Sequence, residues 1–147
     1  VIMDSFNNKV NEAAVKFLTH RGYDIIEETW KSEEGMLPVD IVAMEDGAIV
    51  FVSTKGRNAE NGASFDNGAP DRNKLEAFAI NWFTEHVDEY DNRPFRFDII
   101  SILVIGEDAD KAILRHHINA MAVSILSEEP QTSDSSSEET RKTSRAA

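Results

Sequence analysis

At 147 residues, with 41% hydrophobic and 29% charged content, the chain has the size and composition of one soluble domain built around a single core. It has no cysteine, which excludes disulfides and thiolate metal sites and fits a reducing cytosol. Acids outnumber bases by 27 to 15, a net charge of −12 that opposes tight, non-specific gripping of nucleic-acid phosphates.

The opening VIMDSFNNK lacks the basic-then-apolar layout of a signal peptide, and no apolar run approaches membrane-spanning length, so a cytoplasmic location is expected. Residues 8–21 set Val10, Ala13, Ala14, Phe17 and Leu18 at helical spacing, with Gly22 as the stop. Tyr23 to Trp30 reads as a strand centred on Ile25 and Ile26, and KSEEGMLP as a loop. VDIVAM (39–44) and AIVFVST (48–54) are two further strands, joined at Glu45-Asp46-Gly47 as a hairpin. Residues 56–70, rich in Gly, Asn and Ala, read as a long loop.

From Asp71 to about Val87 the spacing of Leu75, Phe78, Ala79, Trp82 and Phe83 predicts a helix whose aromatic side chains are core. RFDIISILVI (96–105) is the most β-prone run and reads as a central, buried strand. Residues 109–126 fit either a helix or a last strand with a turn. The tail from Ser127 is Ser-rich and acidic and reads as disordered, giving one domain over 1–126 and a tail over 127–147. Removing the tail leaves 22 acids against 12 bases, so the body is itself acidic, though a local basic patch fits within such a total. The order of elements implies an α/β fold with a small mixed β-sheet flanked by helices.

Metal-dependent phosphodiester hydrolysis needs oxygen ligands for a divalent ion and a cation beside the attacking water. Asp40 opens one strand of the hairpin and Lys55 closes the other, with Ser53 two residues before Lys55 and on its face. The blocks FLTHRGY (17–23), PVDIVA (38–43), FVSTKGR (51–57), LEAFAINWF (75–83), RFDIIS (96–101) and HHINAM (116–121) occur in the order of those of the YraN-like family. That family has a restriction-endonuclease-like fold of the PD-(D/E)XK superfamily, and the chain resembles it over roughly residues 10–121.

The resemblance implies a Mg²⁺- or Mn²⁺-dependent endonuclease acting on structured or single-stranded DNA. Asp40 and the Thr54 backbone carbonyl would hold the metal, and Lys55 would orient water. The departures fall at the chemical positions. Asn11 stands where the family has a helix Glu, with Glu12 a step of about 100° away around the helix. Pro38 and Ser53 replace two further Glu residues, and Asp71 replaces a Lys, with Lys74 one turn on. Asp40, Lys55, Arg57 and Asp98 remain, and Glu76 is a candidate replacement carboxylate. A neutral Ser hydroxyl is a poor Mg²⁺ ligand, so activity is expected to be weak or absent. The alternative is a non-catalytic binding module, for which the acidic body favours a protein partner over nucleic acid. Asp98 reads as a structural strand-start carboxylate hydrogen-bonded to backbone. The adjacent His116 and His117 point apart and do not read as joint metal ligands.

Overall fold

The computed structural model describes residues 2–59, 71–106 and 111–121. In chain order they form α1 (Ile2–His20), β1 (Asp24–Glu27), a single 3₁₀ turn (Thr29–Lys31), β2 (Ile41–Glu45) and β3 (Ala48–Asn58). Then come α2 (Arg72–Glu85), the short α3 (Val87–Tyr90), β4 (Phe95–Ile105) and β5 (Lys111–His117). The strands make one mixed sheet in the order β1-β2-β3-β4-β5. Only β3 and β4 are parallel, and α2 and α3 lie in the connection between them. Parallel neighbours need such a crossover, whereas antiparallel ones can be joined by a tight turn.

Local chemistry explains the joints. At the end of α1, Gly22 takes φ +91°, with Tyr23 N–H bonded to Leu18 C=O and Gly22 N–H to Thr19 C=O, the paired closure that a left-handed residue makes possible. Asp46 and Gly47 both have positive φ, 52° and 80°, which lets a two-residue loop join β2 to β3 with the right twist. Asp71 caps α2, its carboxylate accepting from Lys74 N–H.

Alternation along the strands divides the core in two. Val50, Val52, Ile100, Ile102 and Val104 face α1 and pack on Val10, Ala14 and Leu18. Ile49, Phe51 and Phe97 face α2 and pack on Leu75, Ala79 and Trp82. The α2 side is aromatic: the fully buried Phe51 ring meets those of Phe78, Trp82, Phe83, Phe95 and Phe97. Where α1 crosses β3, the two backbones come so close that a Cβ on Gly56 would lie 2.4 Å from Val10 Cγ2.

The structure corrects two readings and decides a third that was open. The first strand ends at Glu27, and Trp30 lies in the 3₁₀ turn, its N–H bonded to Asp40 C=O. The strand expected to stop at Thr54 runs to Asn58, because β4 pairs with it as far as Asn58↔Val104. Of the segment left open between helix and strand, the described residues 111–121 are a strand followed by a turn, with β5 antiparallel to β4. Residues 60–70 of the expected loop and the tail over 127–147 lie outside the described residues. Among the described residues no helix is long and apolar enough to cross a membrane.

Candidate functional site

A cleft of about 940 Å³ opens at the end of the sheet where β2 begins and β3 runs on past it. Its walls include Asn7 and Asn11 of α1, Trp30, Pro38, Asp40, Ser53 to Gly56 of β3, and Asp71 and Lys74 at the start of α2. The fold therefore gathers most of the positions singled out in the sequence: Asn11, Asp40, Ser53, Thr54 and Lys55. Glu12, Glu76 and Arg57 are not among the lining residues. Glu12 and Glu76 are exposed, Glu76 in an i,i+4 ion pair with Arg72, and Arg57 is half-buried on β3.

Asp40 is held on both sides. Its N–H donates to Val52 C=O (2.8 Å) and its C=O accepts from Trp30 N–H (3.0 Å). Its carboxylate Oδ2 accepts from the Thr54 N–H at 2.8 Å, taking the place of a ladder carbonyl just before β2 begins. The Thr54 hydroxyl has one proton. Its shorter bond is to Asn11 Oδ1 at 2.7 Å, while Asp40 Oδ2 lies 3.2 Å away. Burial pushes the Asp40 carboxyl above its ordinary value, and the two Thr54 bonds pull only partly the other way.

Ser53 and Thr54 fall on opposite faces of β3. Thr54 shares the α1 side with Val52 and Gly56, whereas Ser53 and Lys55 share the α2 side with Phe51. The Asp40 carboxylate is engaged by the Thr54 amide and hydroxyl. The Ser53 hydroxyl instead donates to Pro38 C=O at 2.6 Å. So Asn11, Pro38 and Ser53, the three positions where the resemblance implies a carboxylate, are all tied into internal hydrogen bonds.

The donor set does not fit a tight divalent-cation site. Mg²⁺ and Mn²⁺ favour several charged oxygens. Here Asp40 is flanked by an amide, two hydroxyls and a peptide carbonyl. Among the described residues no three His, Asp or Glu side chains converge closely enough to hold an ion. The half-buried Lys55 remains at the α2 side of the cleft, with Lys74 beyond it.

Two features were not read from the sequence. The Thr54 side chain bridges Asn11 to Asp40, which strand alternation and the hairpin register together could have indicated. Trp30 forms a wall of the cleft with its indole N–H buried and without a partner among the described residues, and no sequence signal marks it.

Asp98 is away from the cleft, near the start of β4. Its side chain is fully buried and accepts from Asn119 N–H (2.9 Å), Arg96 Nε (3.0 Å) and His116 Nε2 (2.8 Å). Arg96 also reaches Glu45 and the Tyr23 hydroxyl. Burial alone would raise the Asp98 carboxyl, but the bonds from His116, Arg96 and the Asn119 amide outweigh it and hold it below its ordinary value. His117 is exposed and takes no part.

The sequence model of a family described as "Uncharacterised protein family UPF0102" matches residues 10–102. A UPF0102 protein of Roseiflexus castenholzii is 34% identical over 106 residues, covering 70% of this chain and 82% of that protein. A UPF0102 protein of Myxococcus xanthus is 32% identical over 110 residues, covering 71% and 81%. Another from a Sulfurihydrogenibium species is 30% identical over 93 residues, covering 62% and 77%.

Proposed function

The chain belongs to the uncharacterised protein family UPF0102, and on that premise we propose that it is a nuclease-like protein of the PD-(D/E)XK superfamily whose cleft has lost efficient hydrolysis. In this reading the protein keeps the restriction-endonuclease-like scaffold and acts as a binding module. The scaffold part is supported by the order of elements, with Asp40 and Lys55 brought to one open end of a mixed sheet.

The loss of chemistry rests on one observation. Ser53 bonds to Pro38 and Thr54 bonds to Asn11, so the positions that would carry carboxylates are neutral and already satisfied. A Mg²⁺ or Mn²⁺ ion would find Asp40 alone as a charged ligand in their midst. Burying two cations' worth of charge beside one carboxylate is costly without further anionic ligands.

The direct test incubates the full chain with Mn²⁺ or Mg²⁺ and single-stranded, forked or duplex DNA, alongside Asp40→Ala. The expected result is cleavage no faster than that of the variant. Mn²⁺-dependent cleavage that disappears in both Asp40→Ala and Lys55→Ala would overturn the proposal.

A further inference from the structure

The cleft holds one half-buried negative charge that the fold does not neutralise. Thr54 fixes the Asp40 carboxylate through a single oxygen, Oδ2, with its N–H at 2.8 Å and its hydroxyl at 3.2 Å. Among the described residues no donor meets Oδ1, and only the Trp30 indole N–H is both buried and unpartnered, so Oδ1 opens on the cleft. None of the ion pairs among the described residues includes Asp40. Residues 60–70 and 107–110 contain no Lys or Arg, and the only Lys and Arg residues outside the described part are Arg141, Lys142 and Arg145 of the tail. Burial raises the Asp40 carboxyl, and the two Thr54 bonds are what opposes it, with no cation among the causes.

A half-buried carboxylate without a counter-ion is costly, and a ligand that supplies the opposite charge recovers that cost on binding. The charge to be matched is single. A polyamine brings several ammonium groups into a cleft whose walls also hold Lys31, Lys55 and Lys74. A nucleic-acid strand brings phosphates of the same sign as Asp40 to a chain of net charge −12. An arginine side chain brings one delocalised charge, a planar fork of N–H donors for a carboxylate, and an apolar stem. The rim suits the stem, because Met36 is 99% exposed there with Leu37 beside it. The acidic total also favours the approach of a basic protein segment.

We propose that the cleft receives an arginine side chain of a basic partner protein, its guanidinium donating to Asp40 Oδ1 and its stem lying along Met36 and Leu37. The proposal rests on the reading of the cleft as a binding site rather than a hydrolytic one.

The test uses the full chain and the blocked peptide acetyl-Gly-Leu-Arg-Leu-Gly-amide, with citrulline in place of arginine as an uncharged control of the same shape. Binding is followed by titration calorimetry, and contact at Asp40 by carbon NMR of its carboxyl. The arginine peptide should bind saturably, roughly tenfold or more tighter than the citrulline peptide. It should also lower the pH at which the Asp40 carboxyl titrates, since a nearby cation favours the ionised form. Asp40→Asn keeps an acceptor for the Thr54 N–H and should erase the preference for arginine. The proposal is overturned if the arginine peptide does not bind, if both peptides bind equally, or if the preference survives Asp40→Asn. It is also overturned if spermidine or an oligo-dT strand binds more tightly than the peptide in an Asp40-dependent way. Changing Arg141, Lys142 and Arg145 together to Ala should leave peptide affinity unaltered; a gain of roughly tenfold would make the chain's own tail the occupant and overturn a partner. Loss of peptide binding without DNA cleavage sinks this inference alone, whereas Mn²⁺-dependent cleavage that needs Asp40 and Lys55 sinks the reading beneath it.

Discussion

Replacing Gly56 by Ala tests how tightly α1 is seated on the sheet beside the cleft. The added Cβ would lie 2.4 Å from Val10 Cγ2, 3.1 Å from Val10 Cγ1 and 3.3 Å from Phe6 Cε2. Rotating Val10 exchanges one methyl for the other, and a β-branched side chain in a helix has one strongly preferred rotamer in any case. The strain must then move α1 away from β3. Overpacking of this kind costs about 1–3 kcal/mol, and removing a strand glycine returns about 0.5–1 kcal/mol. The net expectation is a loss of about 1–2 kcal/mol, read by urea unfolding. Val10→Ala alone should cost roughly 2 kcal/mol through lost burial and a small void. Together the two changes should cost at least about 1 kcal/mol less than their sum, because the new methyl occupies the space Val10 vacates. Additive costs, or a Gly56→Ala chain as stable as the original, would refute the close approach of α1 and β3. Asn11 adjoins Val10 and bonds to Thr54, so the same displacement should loosen the Asp40 network.

Phe51→Ala removes the ring at the centre of the aromatic side and should cost about 3–5 kcal/mol in chemical denaturation. Asp98→Asn should be strongly destabilising at neutral pH. Because the folded carboxyl titrates below its unfolded counterpart, the gap from wild type is full above the unfolded aspartate range and should narrow as pH falls through the folded value. Asp40 works in the opposite sense. Its folded carboxyl titrates above the unfolded one, so stability falls as pH rises between the two, and Asp40→Asn should equal or exceed wild type in melting temperature at pH 7 but not in acid. Ser53→Glu should lower the melting temperature without metal and regain it in saturating Mn²⁺, a response that Asp40→Ala should abolish. An identical melt with and without Mn²⁺ would show that position 53 cannot join Asp40 around an ion.

The elements that could be read from the sequence are those whose pattern is local. Asp46-Gly47 announces its own turn, and the apolar faces of α1 and α2 follow from spacing within a few residues. The misread or undecided segments are settled by distant partners. Gly56 and Asn58 look like strand breakers, yet the parallel ladder from β4 carries β3 through both. Residues 111–117 are compatible with a helix in isolation, and they extend because the far edge of β4 is available to them. Trp30 leaves the strand because its N–H is claimed by Asp40, ten residues further along the chain.

The candidate site divides in the same way. Asp40, Ser53 and Lys55 can be placed from the hairpin alone, since strand alternation fixes which of them share a face. What Ser53 and Thr54 bond to cannot be placed so, because it depends on the seat of α1 and on the path of the chain before β2. The bond from Thr54 to Asn11 joins residues 43 apart in sequence. Three separate losses of charge read from the sequence as three independent defects. In the fold, the Ser53 hydroxyl donates to Pro38 C=O and Asn11 Oδ1 accepts from the Thr54 hydroxyl. Unpaired, these buried polar groups would each cost about 1–3 kcal/mol; bonded to one another, they stabilise the neutral cleft. Restoring one carboxylate must therefore break an existing hydrogen bond as well as add a charge, and for that reason a single reversion at Ser53 should recover metal binding more readily than hydrolysis.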